Sequence, residues 1–199
     1  MQPDTITSVD KSEEASVIGT LVSAFIADPL ERWLCPDPLQ YLTHFPTFVA
    51  AFCIGGFASD TVFKLGDFAA VAIWIPPGAA ADGDAIVAAR MESIPNDKHA
   101  DTLSVLEQMD AAHPKESHWY LQWLGVDAAL QGAGLGAALL GHGLARVDAD
   151  RVPAFLETPN PRTVPFYERH GFRVTRELTI PGGGPTFWLM WREPQEVRG

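Results

Sequence analysis

The chain has 199 residues, 47% hydrophobic and 20% charged, enough for one domain whose core needs neither disulfides nor a structural metal. Fourteen basic against 25 acidic residues give a net charge of −11, which repels phosphate backbones and anionic membranes and excludes nucleic acid and membrane as expected partners. Cys35 and Cys53 stand in no metal-ligand spacing and read as reduced thiols in apolar surroundings.

Residues 1–10 lack the basic and apolar regions of a signal peptide. The uncharged apolar run 48–58 is too short to cross a bilayer, so a cytoplasmic protein is expected. Residues 5–9 form a short strand. Ser12, followed by Glu13 and Glu14, reads as the N-cap of a helix whose Val17, Ile18, Leu21, Val22, Phe25 and Ile26 make one apolar stripe. That helix stops before Pro29. A second helix spans about residues 39–54, with Pro46 predicting a kink or break. Two strands, 61–65 and 68–75, join at Gly66-Asp67. Residues 79–84 are a loop, and two helices separated by Pro95 fill the stretch to Ala112.

From His118 to Val126 the sequence is a strand apolar on both faces, with Trp119 and Trp123 expected on one face. A glycine-rich turn and a helix over 137–149 follow. Residues 153–157 are a buried strand, and 163–170 a short helix stopped by Gly171. Residues 172–180 and 186–191 pair as a closing hairpin across 181–184. This order implies a mixed α/β domain around one sheet.

The informative segment is Gln131-Gly132-Ala133-Gly134-Leu135-Gly136, between a strand and a helix. Glycines let the backbone approach a ligand, and the first helical turn offers unpaired N–H groups to an anion. A tight turn chosen only for packing explains the same hexapeptide. Two familiar phosphate loops do not fit: Ala137 and Ala138 stand where a Walker A loop needs Lys and Ser/Thr, and the glycines alternate instead of following GxGxxG.

Gln131 to Gly136 resembles the Arg/Gln-x-x-Gly-x-Gly/Ala signature of the GNAT acetyltransferase superfamily. Asn160 and Phe166-Tyr167-Glu168-Arg169-His170-Gly171-Phe172 resemble its second signature. Residues 113–116, 153–158 and 165–169 are similar to stretches of the puromycin N-acetyltransferases, a likeness clearest from His113 onward. The resemblance implies a GNAT fold, an α/β (α+β) domain with a central mixed sheet of about six to seven strands, splayed at strands 4 and 5. It implies a single domain over 1–199, with the acceptor pocket mainly in 1–115, the acetyl-CoA half in 116–192 and a loose tail from 193.

The activity implied is direct transfer of acetyl from acetyl-CoA to the amine of a small molecule, with no metal. A homodimer is compatible with the sequence. Backbone groups of Gln131, Gly132, Ala133, Gly134, Leu135, Gly136 and Ala137 would hold the pyrophosphate. Leu124, Gly125 and Val126 would form the β-bulge that polarises the thioester carbonyl. Asn160 would hydrogen-bond the pantetheine arm and Phe166 would add to the cofactor site. Arg162 would reach a CoA phosphate, and a solvated helix-start residue explains Arg162 equally well. Tyr167 matches the tyrosine that protonates the thiolate. Glu157 is the candidate base, with Asp127 and Glu116 behind it; pairing with Arg162 or a backbone amide would explain Glu157 equally well. A protein or peptide N-acetyltransferase and a silent acyl-CoA sensor are the competing readings.

Overall fold

The computed structural model describes residues 5–79, 83–180 and 182–196. Strand β1 (Ile6–Ser8) leads to Asp10, which takes the capping role expected of Ser12. Its carboxylate accepts from Ser12 N while Glu13 reaches back to Asp10 N, a reciprocal box that starts a 3-10 turn and then helix α1 (Glu14–Phe25). Asp28 next caps a helix that the Pro29 stop signal had hidden, α2 (Pro29–Leu34). Proline at the first helical position begins a helix as readily as its preceding residue ends one.

Helix α3 (Pro38–Ala58) continues through Pro46, so of the expected kink or break the break does not occur. Tyr41, Phe45, Phe48, Val49 and Cys53 bury themselves on both sides of the proline, and that packing outweighs one missing backbone bond. By length and composition α3 could cross a membrane, contrary to the expectation from residues 48–58. Its six buried residues are nonetheless those of a core helix, while Leu39, Leu42 and Ile54 are exposed.

Strands β2 (Val62–Leu65) and β3 (Ala70–Ile75), helices α4 (Gly83–Glu92) and α5 (His99–Ala112), and strand β4 (Trp119–Val126) follow. Helix α6 (Leu135–Asp150), strand β5 (Ala154–Thr158), helix α7 (Val164–Glu168) and strands β6 (Arg173–Thr179) and β7 (Thr186–Arg192) complete the described chain. Residues 80–82 of the expected loop, Pro181 of the expected hairpin turn and residues 197–199 of the expected tail lie outside the described residues.

The seven strands form one sheet in the order β1-β2-β3-β4-β5-β7-β6, antiparallel except for the β4–β5 pair. On one face α1 and α3 cover a core containing Leu21, Phe45, Phe48, Ile73 and Trp123. On the other α6 covers Trp74, Trp119, Leu121, Leu139 and Leu156. Helix α6 lies so close that a Cβ on Gly143 would sit 2.2 Å from Trp74 Nε1. At the end of the sheet away from β1, Arg192 ties three elements together. It donates to both carboxylate oxygens of Asp148 at 2.6 and 2.9 Å and to the His170 carbonyl at 2.9 Å. Gln195 N also donates to Asp148, so the expected loose tail is tethered at that point.

The register of β4 is the decisive detail. Ile73 pairs with Trp123 but Trp74 pairs with Leu121, so Gln122 is an extra residue. The bulge therefore lies ahead of Leu124, Gly125 and Val126, which pair regularly with Ala72, Val71 and Ala70. It also reverses the alternation: Trp119 and Leu121 face α6, whereas Trp123 faces α1 and α3. The two tryptophans are thus on opposite faces, contrary to expectation.

Candidate active site

The parallel ladder between β4 and β5 consists of Trp119↔Ala154 and Tyr120↔Phe155 and stops there. Past Tyr120 the strands diverge, and a cavity of about 770 Å³ fills the wedge. Along its β4 wall, residues 121–126, apart from the extra Gln122, keep their ladder to β3 but have no pairing on the β5 side. This edge can offer backbone N–H and C=O groups to an extended ligand. Close packing of α1 supports it from behind, because a Cβ on Gly125 would come within 2.8 Å of Leu21 and 3.0 Å of Ala24.

At the mouth lies the glycine turn. Gly132 and Gly134 have φ of +82° and +84°, and Gly134 is the N-cap of α6. The same site would leave a Cβ at either position in open space, so the requirement there is conformational. Gln131, Gly132, Gly134, Leu135, Gly136 and Ala137 line the cavity; Ala133 is exposed and outside the lining. Gln131 Nε2 donates to the Val126 carbonyl, holding the turn against the end of β4. Open space, left-handed backbone and a helix N-terminus together fit a pyrophosphate.

Asn160, Arg162, Phe166 and Tyr167 line the opposite wall. The Asn160 side-chain oxygen accepts from Arg162 N, which leaves its amide NH2 as the group to offer. Tyr167 packs against Phe166 and Phe172. Burial, with the Asp28 carboxylate nearby, holds its hydroxyl above the ordinary value, so it keeps its proton until a strong base forms beside it.

Glu157 lines the same cavity with 5% of its side chain exposed. Tyr120 Oη donates to its Oε2 at 2.8 Å, and His113 Nδ1 lies 3.6 Å from its Oε1. These partners replace the Arg162 or backbone-amide pairing considered from sequence. Burial and the Glu157 charge keep the Tyr120 hydroxyl protonated, well above its ordinary value. The other two candidate bases are placed elsewhere. Asp127 caps a 3-10 turn and accepts from Ser23 Oγ, and Glu116 is exposed and outside the cavity lining.

The inner end of the cavity belongs to the N-terminal half. Phe25, Phe48, Phe52 and Trp123 form an aromatic wall, with ring centroids of Phe25, Phe48 and Phe52 4.7 to 6.4 Å from that of Trp123. Trp123 Nε1 and Gln122 Oε1 are buried without a hydrogen-bond partner among the described residues. Trp33, Trp74 and Trp188 lie outside the lining; Trp74 is a core residue, and Trp33 lies under the Lys98 ammonium.

Sequence reasoning missed the polar floor. Arg90 donates to both oxygens of Glu31 at 2.8 and 2.9 Å, joining α4 to α2 with both side chains almost fully buried. Beside it Asp28 lines the cavity, with Oδ1 accepting from Leu30 N and Glu31 N. Burial pushes the Asp28 carboxyl up to about 6, and the Glu31 charge pushes the same way. The available signal was Asp28-Pro29, a cap as well as a stop. Arg90→Met leaves Glu31 buried and unpaired, and urea denaturation should register a loss of about 3–5 kcal/mol. The Glu31→Leu, Arg90→Met double variant should recover most of it. A single-variant loss within about 0.5 kcal/mol of zero would mean that the pair is not desolvated.

An uncharacterized N-acetyltransferase of Schizosaccharomyces pombe is 28% identical over 94% of this chain and 82% of its own length. A Corynebacterium glutamicum structure described as histone acetyltransferase HPA2 and related acetyltransferase superposes with a TM-score of 0.68, 23% identity and full coverage of both chains. Arylalkylamine N-acetyltransferase 2 of Aedes aegypti superposes with a TM-score of 0.66 at 13% identity, over 96% of this chain and 99% of its own. At such identities the two structures speak for the fold alone. The sequence profile of the acetyltransferase (GNAT) family matches residues 48–172, more than half of the chain, and the protein belongs to that family of acetyl-CoA-using acyltransferases.

Proposed function

We propose that the protein transfers acetyl from acetyl-CoA to the amine of a small cationic acceptor with an apolar or aromatic body, by direct attack in a ternary complex. The observation that carries this reading is the convergence of the free β4 edge, the glycine turn, Tyr167 and Glu157 on one cavity. Gly132, Gly134 and the first turn of α6 hold the pyrophosphate. Asn160, Phe166 and the unpaired edge of β4 hold the pantetheine arm, and Arg162 reaches a phosphate at the mouth. A backbone N–H of that edge polarises the thioester carbonyl. Glu157 takes the ammonium proton, freeing the lone pair for attack, and Tyr167 gives its proton to the departing thiolate.

The inner cavity supports the acceptor class. The aromatic wall suits an aryl or alkyl body, while Asp28 and Glu157 place two carboxylates where an ammonium would enter. Arg90 adds no net charge, because Glu31 already pairs with it. The arylalkylamine acetyltransferase among the structural relatives acts on a ligand of this description, and the puromycin-like stretches from His113 onward point to an aminonucleoside as one member of the class. The cytoplasm is the proposed location.

Gly134→Glu should abolish acetyl-CoA binding while leaving the fold intact, because it puts a negative side chain at the φ +84° position facing the pyrophosphate. Calorimetry that finds unchanged affinity in the folded variant rules the turn out as the anchor. Tyr167→Phe should lower kcat by about tenfold or more with little change in the KM for acetyl-CoA. Wild-type turnover under conditions where chemistry limits the rate removes Tyr167 from the mechanism. The acceptor is tested by CoA release with puromycin, phenethylamine, spermidine and a lysine peptide, compared by kcat/KM. The small-amine reading expects puromycin or phenethylamine to lead. A wide margin for the peptide overturns it, and tight acetyl-CoA binding without turnover of any amine replaces it with a sensor.

A further inference from the structure

The hydrogen bonds that begin at Tyr120 continue beyond Glu157. On the other side of the carboxylate, His113 Nδ1 stands 3.6 Å from Oε1. His113 Nε2 lies 3.1 Å from His118 Nε2, and His118 Nδ1 lies 2.7 Å from the Glu116 carbonyl oxygen. These partners fix the neutral tautomers. A carbonyl only accepts, so His118 carries its proton on Nδ1 and presents a bare Nε2. That nitrogen requires a donor, so His113 is protonated on Nε2 and its own Nδ1 is bare. Tyr120 meanwhile donates to Oε2 of Glu157.

One gap remains in this array. Between His113 Nδ1 and Glu157 Oε1 two acceptors face each other, farther apart than a hydrogen bond allows, with room for one proton between them. The reaction supplies one. An alkylammonium and acetyl-CoA give an amide, free CoA and a proton, so each turnover must discharge one H⁺. Glu157 is only 5% exposed, whereas the His113 side chain is 36% exposed and is the more accessible of the two to bulk water.

We propose that His113 is the outlet for the proton released by N-acetylation, and that His118 is a positioning residue that fixes its tautomer. The proposal rests on Glu157 being the base. The ammonium N–H bond breaks and its proton moves to Glu157 Oε1. Once Oε1 and His113 Nδ1 close from 3.6 Å to hydrogen-bonding distance, the carboxyl passes the proton to Nδ1, and the imidazolium turns the same Nδ1 proton over to solvent. The neutral ring returns to its Nε2–H form because the bare nitrogen of His118 accepts from that position. Among the described residues, the carboxylates of Glu157 and Glu116 and the hydroxyl-bearing ring of Tyr120 are the ionisable groups near the histidine pair. Phe155 packs edge-on against both imidazole rings and Trp191 packs against His118, which leaves the exposed side of His113 to solvent. Burial lowers the His118 pKa, and the neighbouring His113 acts in the same direction, which suits a neutral partner.

Two measurements on the full chain test this. Long-range ¹H–¹⁵N correlation spectra above neutral pH should identify His118 as the Nδ1–H tautomer and His113 as the Nε2–H tautomer. In His118→Phe, His113 should lose that preference. The opposite assignment in the wild type, or an unchanged His113 tautomer in the variant, overturns the proposal whatever the kinetics. Steady-state rates with the fastest amine of the panel then separate the outlet from the base. His113→Phe keeps a ring against Tyr120 and Phe155. It should lower kcat about tenfold at unchanged KM for acetyl-CoA, with partial rescue by added imidazole. A slow Glu157→Gln beside a fully active His113→Phe overturns the outlet and leaves the base standing. Full activity in Glu157→Gln overturns both. A His113→Phe defect that raises the acetyl-CoA KM and resists imidazole is a packing defect and also counts against the outlet.

Discussion

Where the β3–β4 ladder skips Gln122, β4 is also within two residues of its last pair with β5, Tyr120↔Phe155. The two departures coincide and define the molecule. Before the skip, β4 is an ordinary central strand, with Trp119 and Leu121 in the α6 core and Tyr120 turned to Glu157. After it the faces are exchanged, which delivers Trp123 to the aromatic wall and turns Gly125 toward α1. Without the extra residue, the same sequence would bury Trp123 against α6 and give the cavity a different lining.

The cavity is lined by buried charges, and burial decides how they act. Arg90 and Glu31 neutralise one another across two helices, so the pair contributes rigidity more than field. Asp28, anchored by two backbone N–H groups, and Glu157, anchored by a tyrosine, remain as carboxylates facing the interior. Tyr120 and Tyr167 are held in their neutral forms by the same burial. Donors and acceptors in such a site keep their protonation states until a reacting group changes them, which a proton-transfer reaction requires.

What could be read from sequence was local. The glycine turn, the helix behind it and the closing hairpin carry their own chemistry, and the order of strands and helices followed from periodicity. Trp119 to Leu124 alternates as a plain strand would, so the bulge left no mark in composition and the expected position, Leu124 to Val126, was displaced from the extra residue at Gln122. In sequence Asp28-Pro29 reads as an end, but it is also a beginning, and α2 with the carboxylate that caps it stays hidden behind that signal. The Tyr120–Glu157 bond joins residues 37 positions apart, and the Arg90–Glu31 pair spans 59. Such contacts exist only once the sheet has brought the elements together, and no spacing rule anticipates them.

The splay has one more effect, on how the sheet meets other chains. From Leu121 to Val126, β4 lies in the middle of a seven-stranded sheet and yet, toward β5, has no strand partner, the Gln131 side chain reaching only the Val126 carbonyl. Exposed edges invite pairing between molecules, and proteins ordinarily blunt them with charges, prolines or short strands. Residues 121–126 carry none of these devices. Their protection is depth: α1 packs behind them, the glycine turn stands at one end and the Asn160–Tyr167 wall faces them across a narrow wedge. The wall that keeps the wedge narrow is also what keeps a stray β-strand from adding itself to the centre of the sheet.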